Sequence, residues 1–138
     1  MKLSIIIPAH NEEGSIRPTV TELARTLNTE KIDYEILVVN DNSSDSTEQI
    51  LTELSQQPNV LYVNNDPPNG FGFAVRKGLN SFSGDAVTLF MADSSDAPED
   101  VVKFFRKLEE GYDCVFGSRF IKGGKTYDYP FLKLVLCL

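Results

Sequence analysis

Asp41 and Asp93 each follow directly on an apolar run and each belongs to a polar loop, Asn40 to Asp45 and Asp93 to Asp96. Carboxylates so placed can accept hydrogen bonds from a ribose or a base edge, or hold a hard cation. Three more polar stretches share that position behind an apolar run: Pro8 to Glu12, Asn69 to Gly72, and Arg119 with Gly123 and Gly124 beyond it. Glycines let a backbone approach a ligand closely, and a guanidinium fork suits a diphosphate. Carboxylates, glycines and an arginine together are what a sugar nucleotide asks of a protein.

A repeated strand-then-helix rhythm must position these loops. Leu3 to Ile7 is β-branched and apolar and stops at Pro8, as suits a strand buried on both faces. Behind Ser15, the spacing of Ile16, Val20, Leu23 and Leu27 predicts a helix, with Pro18 in its first turn. Tyr34 to Val39 repeats the strand signal, and Asp45 or Ser46 caps a helix facing inward through Ile50, Leu51 and Leu54. Val60 to Val63 is a third strand, followed by a helix carrying Ala74, Val75, Leu79 and Phe82. Ala86 to Met91 is the fourth, with a helix opening at Pro98, and Cys114 to Phe116 is expected as a short fifth strand. Such alternation implies right-handed crossovers and a Rossmann-like α/β fold, with a mostly parallel sheet and helices on both faces. Ligands in such sheets bind beyond the carboxyl ends of the strands, so one cleft can hold all five loops.

At 138 residues, 41% hydrophobic and 24% charged, the chain has the composition of one globular domain, residues 1–138. A net charge of -7 argues against nucleic acid as a partner and requires a bound diphosphate to be neutralised locally, by a divalent cation or by Arg and Lys. Cys114 and Cys137 lack CxxC spacing and read as buried thiols of a reducing compartment. The first strand is too short for a signal peptide, which leads us to expect a cytoplasmic chain. Pro130 to Leu138 is apolar apart from Lys133 but shorter than the ~20 residues of a membrane span. Its end in mid-pattern leads us to expect a truncated chain, or one continuing against a partner.

Asp45 reads as a helix cap, whereas Asp41 is needed by no cap and is read as a ligand contact. A cation on a diphosphate takes one or two protein carboxylates, the rest of its shell being phosphate and water, so Asp93 is the expected metal ligand and Asp96 a second candidate. Asp96 serves equally well, with Glu99 and Asp100, as favourable charge at the next helix N-terminus. Gly70 and Gly72 lack the third position of a dinucleotide fingerprint and no GxxxxGK[ST] is present, which disfavours NAD and excludes a P-loop. These glycines are expected to permit close packing or backbone approach. His10 has no acid or nucleophile placed to form a triad and is read as a nucleotide-contacting or exposed loop residue.

Five segments in this order, SIIIPAHNEEGSI, VVNDNSSDST, NGFGFAVRKGL, FMADSSDAPED and FGSRFIKGG, resemble the N-terminal, donor-binding part of family 2 glycosyltransferases of the GT-A fold. The resemblance is greatest to dolichyl-phosphate or polyprenyl-phosphate mannosyl- and glucosyltransferases. It implies nucleotide-sugar contacts from Pro8, Ala9, His10 and Glu12, from Val39 and Asp41, from Met91, Ala92 and Asp93, and from Arg119 near the diphosphate. It also implies a divalent cation, Mg or Mn. The family's Asp-x-Asp metal motif reads here Met91, Ala92, Asp93, and Asn40 and Asn42 stand where Asp and Gly are more usual. The first departure is expected to weaken metal affinity unless Asp96 compensates.

What the resemblance implies is transfer of a sugar from a nucleoside diphosphate to an acceptor, expected to be a polyprenyl phosphate or another lipid or glycan. A hydroxyl acceptor needs a carboxylate base, which would lie beyond residue 138, whereas an anionic phosphate acceptor needs none. The resemblance leads us to expect that the acceptor half is missing from these 138 residues, and the C-terminal segment is expected to make a peripheral contact at the cytoplasmic face of a membrane. The alternative is a truncated or degenerate nucleotide-sugar-binding or interaction domain without turnover. A phosphoacceptor receiver domain is disfavoured, because it needs an acidic pair directly after the first strand and an aspartate directly after the third, and neither stands there in this sequence.

Overall fold

The structure, a computed structural model, describes residues 1–118 and residue 123. Four strands alternate with four helices: β1 (Leu3–Ala9), α1 (Ile16–Thr29), β2 (Tyr34–Asn40), α2 (Thr47–Leu54), β3 (Val60–Asn64), α3 (Phe71–Leu79), β4 (Ala86–Leu89) and α4 (Pro98–Glu109). The strands form one parallel sheet in the order β3-β2-β1-β4. The chain therefore winds outward from β1 to β3, then crosses back to the far side of β1. That reversal opens the crevice between β1 and β4.

Both faces of the sheet are covered, but unequally. Leu3, Ile5, Ile7 and Ala9 of β1 alternate onto a broad face shared with Ile16, Val20, Leu23 and Leu27 of α1, Leu51 and Leu54 of α2, and Val101 and Phe105 of α4. Each aliphatic side chain buried there contributes roughly 1.5–3 kcal/mol. The opposite face is thin, with Ile6 and Val39 packed against Ala74 of α3. Gly78 makes that thinness possible: a Cβ on it would lie 2.4 Å from Cγ2 of Ile6. Within α3 the close-packing glycine is thus Gly78; Gly72 has open space around it, and Gly70 precedes α3 at φ 129°.

Several sequence expectations are corrected. No strand forms at Cys114 to Phe116, where Phe116 is 87% exposed and no ladder partner is present among the described residues. β4 ends at Leu89, because after the Phe90 N–H bonds Ile6 O, the Met91 N–H turns to the Asp96 carboxylate instead of the ladder. α3 stops at Leu79, leaving Phe82 outside it. Cys114 is an exposed free thiol, not a buried one; Cys137 lies outside the described residues. Among the described residues no helix is long and apolar enough to cross a membrane.

At the amino ends of the strands, Glu35 is 4% exposed and accepts four hydrogen bonds within 2.5–2.8 Å, from Lys2 Nζ, Ser4 Oγ, and the N–H and hydroxyl of Ser83. Burial alone would raise its pKa, but these donors outweigh burial and hold it at about 2.

Candidate functional site

A cleft of about 530 Å³ opens at the carboxyl ends of β1, β2 and β4. Pro8, Ala9, His10 and Glu12 line it from the first loop, Asp41 and Asn42 from the second, Asn69 and Gly70 from the third, and Met91, Ala92 and Asp93 from the fourth. Asp41 and Asp93 thus share one opening. Two expected residues do not line it: Val39 is fully buried beneath α3, so its side chain is part of the core, and Asp96 is engaged by Met91. Arg119 lies outside the described residues.

The first two loops are laced into one shelf. His10 Nδ1 donates to the Asp41 carbonyl at 2.6 Å, the Asn11 N–H to Ser43 Oγ at 3.0 Å, and the Glu12 N–H to Thr47 Oγ1 at 2.8 Å. Returning bonds run from the Ser44 N–H to Asn11 Oδ1 and from the Ser46 N–H to Glu13 Oε2. With a carbonyl as partner, Nδ1 carries the proton, and Nε2 is left to accept from Asn11. Asn11 and Asn42 sit at φ 54° and 55°, a left-handed conformation that asparagine tolerates better than most residues. Asn42 therefore holds this left-handed turn position without a glycine. Asp45 stands one residue before the N-cap of α2, which is Ser46 and makes no side-chain cap bond; the Asp45 Oδ1 nonetheless accepts the Thr47 N–H at 2.9 Å at the start of the helix. Ser15 stands at the N-cap of α1 without a side-chain cap bond; its hydroxyl donates to the Glu12 carboxylate at 2.6 Å.

Asp41 is only 6% exposed, held by partners that lie far from it in sequence. Its Oδ1 accepts from the side-chain amides of Asn65 and Asn69 at 2.8 and 3.0 Å, and its Oδ2 from the Gly70 N–H at 2.8 Å. Asp41 thereby anchors the entry to α3 while lining the cleft, contrary to the expectation that no cap needs it. Burial would raise its pKa; the Asn65, Asn69 and Gly70 donors, with His10, bring it below the ordinary value. A carboxylate with about four acceptor sites and three donors retains capacity for one more.

Asp93 is exposed, and its Oδ1 accepts the Ser95 N–H at 3.0 Å across a turn in which Ser94 has φ 62°. Hydrogen bonding from the Ser95 side chain, opposed by partial burial and aided by the Ser95 N–H, holds the Asp93 carboxyl below its usual range. Among the described residues, no three His, Cys, Asp or Glu side chains gather as a metal cage. A lone carboxylate fits Mg²⁺ or Mn²⁺ that takes its other ligands from phosphate and water, and does not fit a cation held by protein alone.

The glycosyl transferase family 2 profile matches residues 4–135. A dolichol-phosphate mannosyltransferase of Pyrococcus furiosus is 33% identical over 136 residues, spanning 99% of this chain and 38% of that protein. Among solved structures, S. aureus TarS 1-349 in complex with UDP-GlcNAc superposes with a TM-score of 0.67 at 27% identity, covering 80% of this chain and 32% of that one. The mannosyltransferase PcManGT of Pyrobaculum calidifontis, in complex with GDP-Man and Mn2+, shares the fold at a TM-score of 0.66 and 20% identity, covering 77% and 32% respectively. The chain spans well under half the length of these proteins. With the matched profile running from β1 through every loop of the cleft, the chain belongs to glycosyl transferase family 2.

Proposed function

We propose that this chain binds the donor in a glycosyltransferase that moves a sugar from a nucleoside diphosphate to a polyprenyl phosphate or a similar lipid-linked acceptor. The observation that carries this reading is the convergence of Asp41 and Asp93 on one cleft at the switch point of the sheet. The nucleoside would lie on the shelf near His10 and Asp41, and the diphosphate near Asp93. Family membership and the resemblance to a dolichol-phosphate enzyme support sugar transfer and the lipid-linked acceptor.

The chemistry is displacement at the anomeric carbon, with the acceptor oxygen forming the new bond and the nucleoside diphosphate departing. Asp93 would hold a divalent cation together with the diphosphate oxygens, and Arg119 is assigned to the same anion. When bound, such a cation neutralises charge developing on the leaving group. A phosphate acceptor is already anionic and requires no protein base. Pro130 to Leu138 is assigned to a peripheral contact at the cytoplasmic face of a membrane, on the strength of its apolar composition.

Calorimetric titration with GDP-mannose, UDP-glucose and UDP-N-acetylglucosamine, with Mn²⁺ and with EDTA, tests the reading. Saturable binding of at least one donor, strengthened by Mn²⁺, is expected. Absence of heat with all three would refute it.

A further inference from the structure

α1 buries one polar side chain in its otherwise apolar stripe. Ile16, Val20, Leu23, Ala24 and Leu27 face the core as helical spacing demands, and Thr19 sits among them at 3% exposure. A hydroxyl in such a place destabilises the fold unless it is hydrogen-bonded, and threonine in a helix commonly satisfies itself on the carbonyl one turn back. Thr19 does otherwise. Its Oγ1 lies 3.1 Å from the Ala92 carbonyl and 2.7 Å from Ser94 Oγ, more than seventy residues along the chain. Because a hydroxyl has one hydrogen, Thr19 donates to Ala92 O and accepts from Ser94.

These two bonds bracket Asp93. The turn they hold is otherwise closed by short-range contacts, Ser95 N–H to Asp93 and Met91 N–H to Asp96, and it carries Ser94 in the left-handed region. A non-glycine residue keeps that conformation only where its surroundings enforce it. Thr19 supplies that enforcement from a helix rooted in the core.

We propose that Thr19 is a positioning residue for Asp93: its buried hydroxyl, bonded to Ala92 O and Ser94 Oγ, fixes the turn that presents the carboxylate to a cation–diphosphate pair. The part played by the cation rests on the proposed donor binding; the anchoring of the turn does not.

Thr19→Val keeps the shape and removes the hydroxyl, and Thr19→Ser restores it. Two readouts separate positioning from general stability. The first is amide exchange at Met91 and Ser95, expected to quicken about tenfold in Thr19→Val and in Ser94→Ala but not in Thr19→Ser, with Ile36 and Val38 unchanged. The second is the gain in UDP or GDP affinity on adding Mn²⁺, expected to shrink about fivefold or more in Thr19→Val while affinity in EDTA holds. Wild-type exchange at both amides in Thr19→Val would overturn the anchoring, and an equal loss with and without Mn²⁺ would overturn the link to Asp93. If the unaltered chain binds UDP or GDP but gains nothing from Mn²⁺, the link to the cation fails while donor binding stands; if it binds neither, the donor-binding reading fails too; in both cases the exchange result alone decides the anchor.

Discussion

Each end of the sheet holds a buried, multiply hydrogen-bonded carboxylate, and the two are surrounded differently. Glu35, at the amino end, is met by a lysine ammonium, two hydroxyls and an amide, all of them contacts that tie β1, β2 and the segment before β4 together. Asp41, at the carboxyl end, is met by two side-chain amides and one backbone N–H, all neutral, and it borders the cleft. A cationic partner makes Glu35 self-sufficient. The three groups that hydrogen-bond Asp41 are neutral, and its charge borders an open space where a ligand's hydroxyl or N–H can use it. Burial and a depressed pKa therefore do not by themselves mark a functional carboxylate, since both hold for Glu35, which lies at the far end of the sheet from the cleft.

Substitutions that remove one carboxylate at a time should break this symmetry. Asp93→Asn is expected to have the largest effect, removing about 100-fold or more of the Mn²⁺-dependent donor affinity while leaving urea unfolding within ~0.5 kcal/mol of the parent. Calorimetry on the same preparation as the unfolding curve would check both halves.

Glu35→Gln should do the reverse, costing about 2–3 kcal/mol of stability at neutral pH and leaving donor affinity unchanged. Its pH dependence has a definite sign. The folded-state pKa of about 2 lies below the model-compound value of 4.5, so the stabilisation is fully present above pH 4.5. It is lost as pH falls from 4.5 towards 2. Urea midpoints for parent and Glu35→Gln should converge across that window, and a constant gap would contradict the assignment.

Asp41→Asn is expected to have the smallest effect of the three, weakening donor binding about tenfold. Because Asp41 orients the α3 entry instead of holding the cation, the loss should be equal in Mn²⁺ and in EDTA. A loss confined to Mn²⁺ would move Asp41 into the cation's shell and erase the distinction from Asp93.

Much of this was legible in the residues themselves. β1 and β2 are unbroken apolar runs because both their faces are covered, and α1 and α4 carry apolar stripes at helical spacing. The positions of Asp41 and Asp93 followed from strand ends alone. What escaped was set by distant partners. Nothing local in Asn65 or Asn69 says that they bind Asp41, and nothing near Thr19 says that its hydroxyl reaches Ala92. The Glu35 network joins Lys2, Ser4 and Ser83, which share no motif. The fifth strand failed for the same reason: Cys114 to Phe116 has β-forming residues, but a strand exists only with a neighbour, and none pairs with it among the described residues.

The central claim is that the Asp41 shelf and the Asp93 turn hold one ligand between them. Amide NMR of the chain titrated with a nucleoside diphosphate and a trace of Mn²⁺ tests it most directly. Shifts at Asn69 and Gly70 and paramagnetic broadening at Ala92 to Ser95 should saturate together, with one midpoint. Two independent midpoints, or broadening centred away from Asp93, would contradict it.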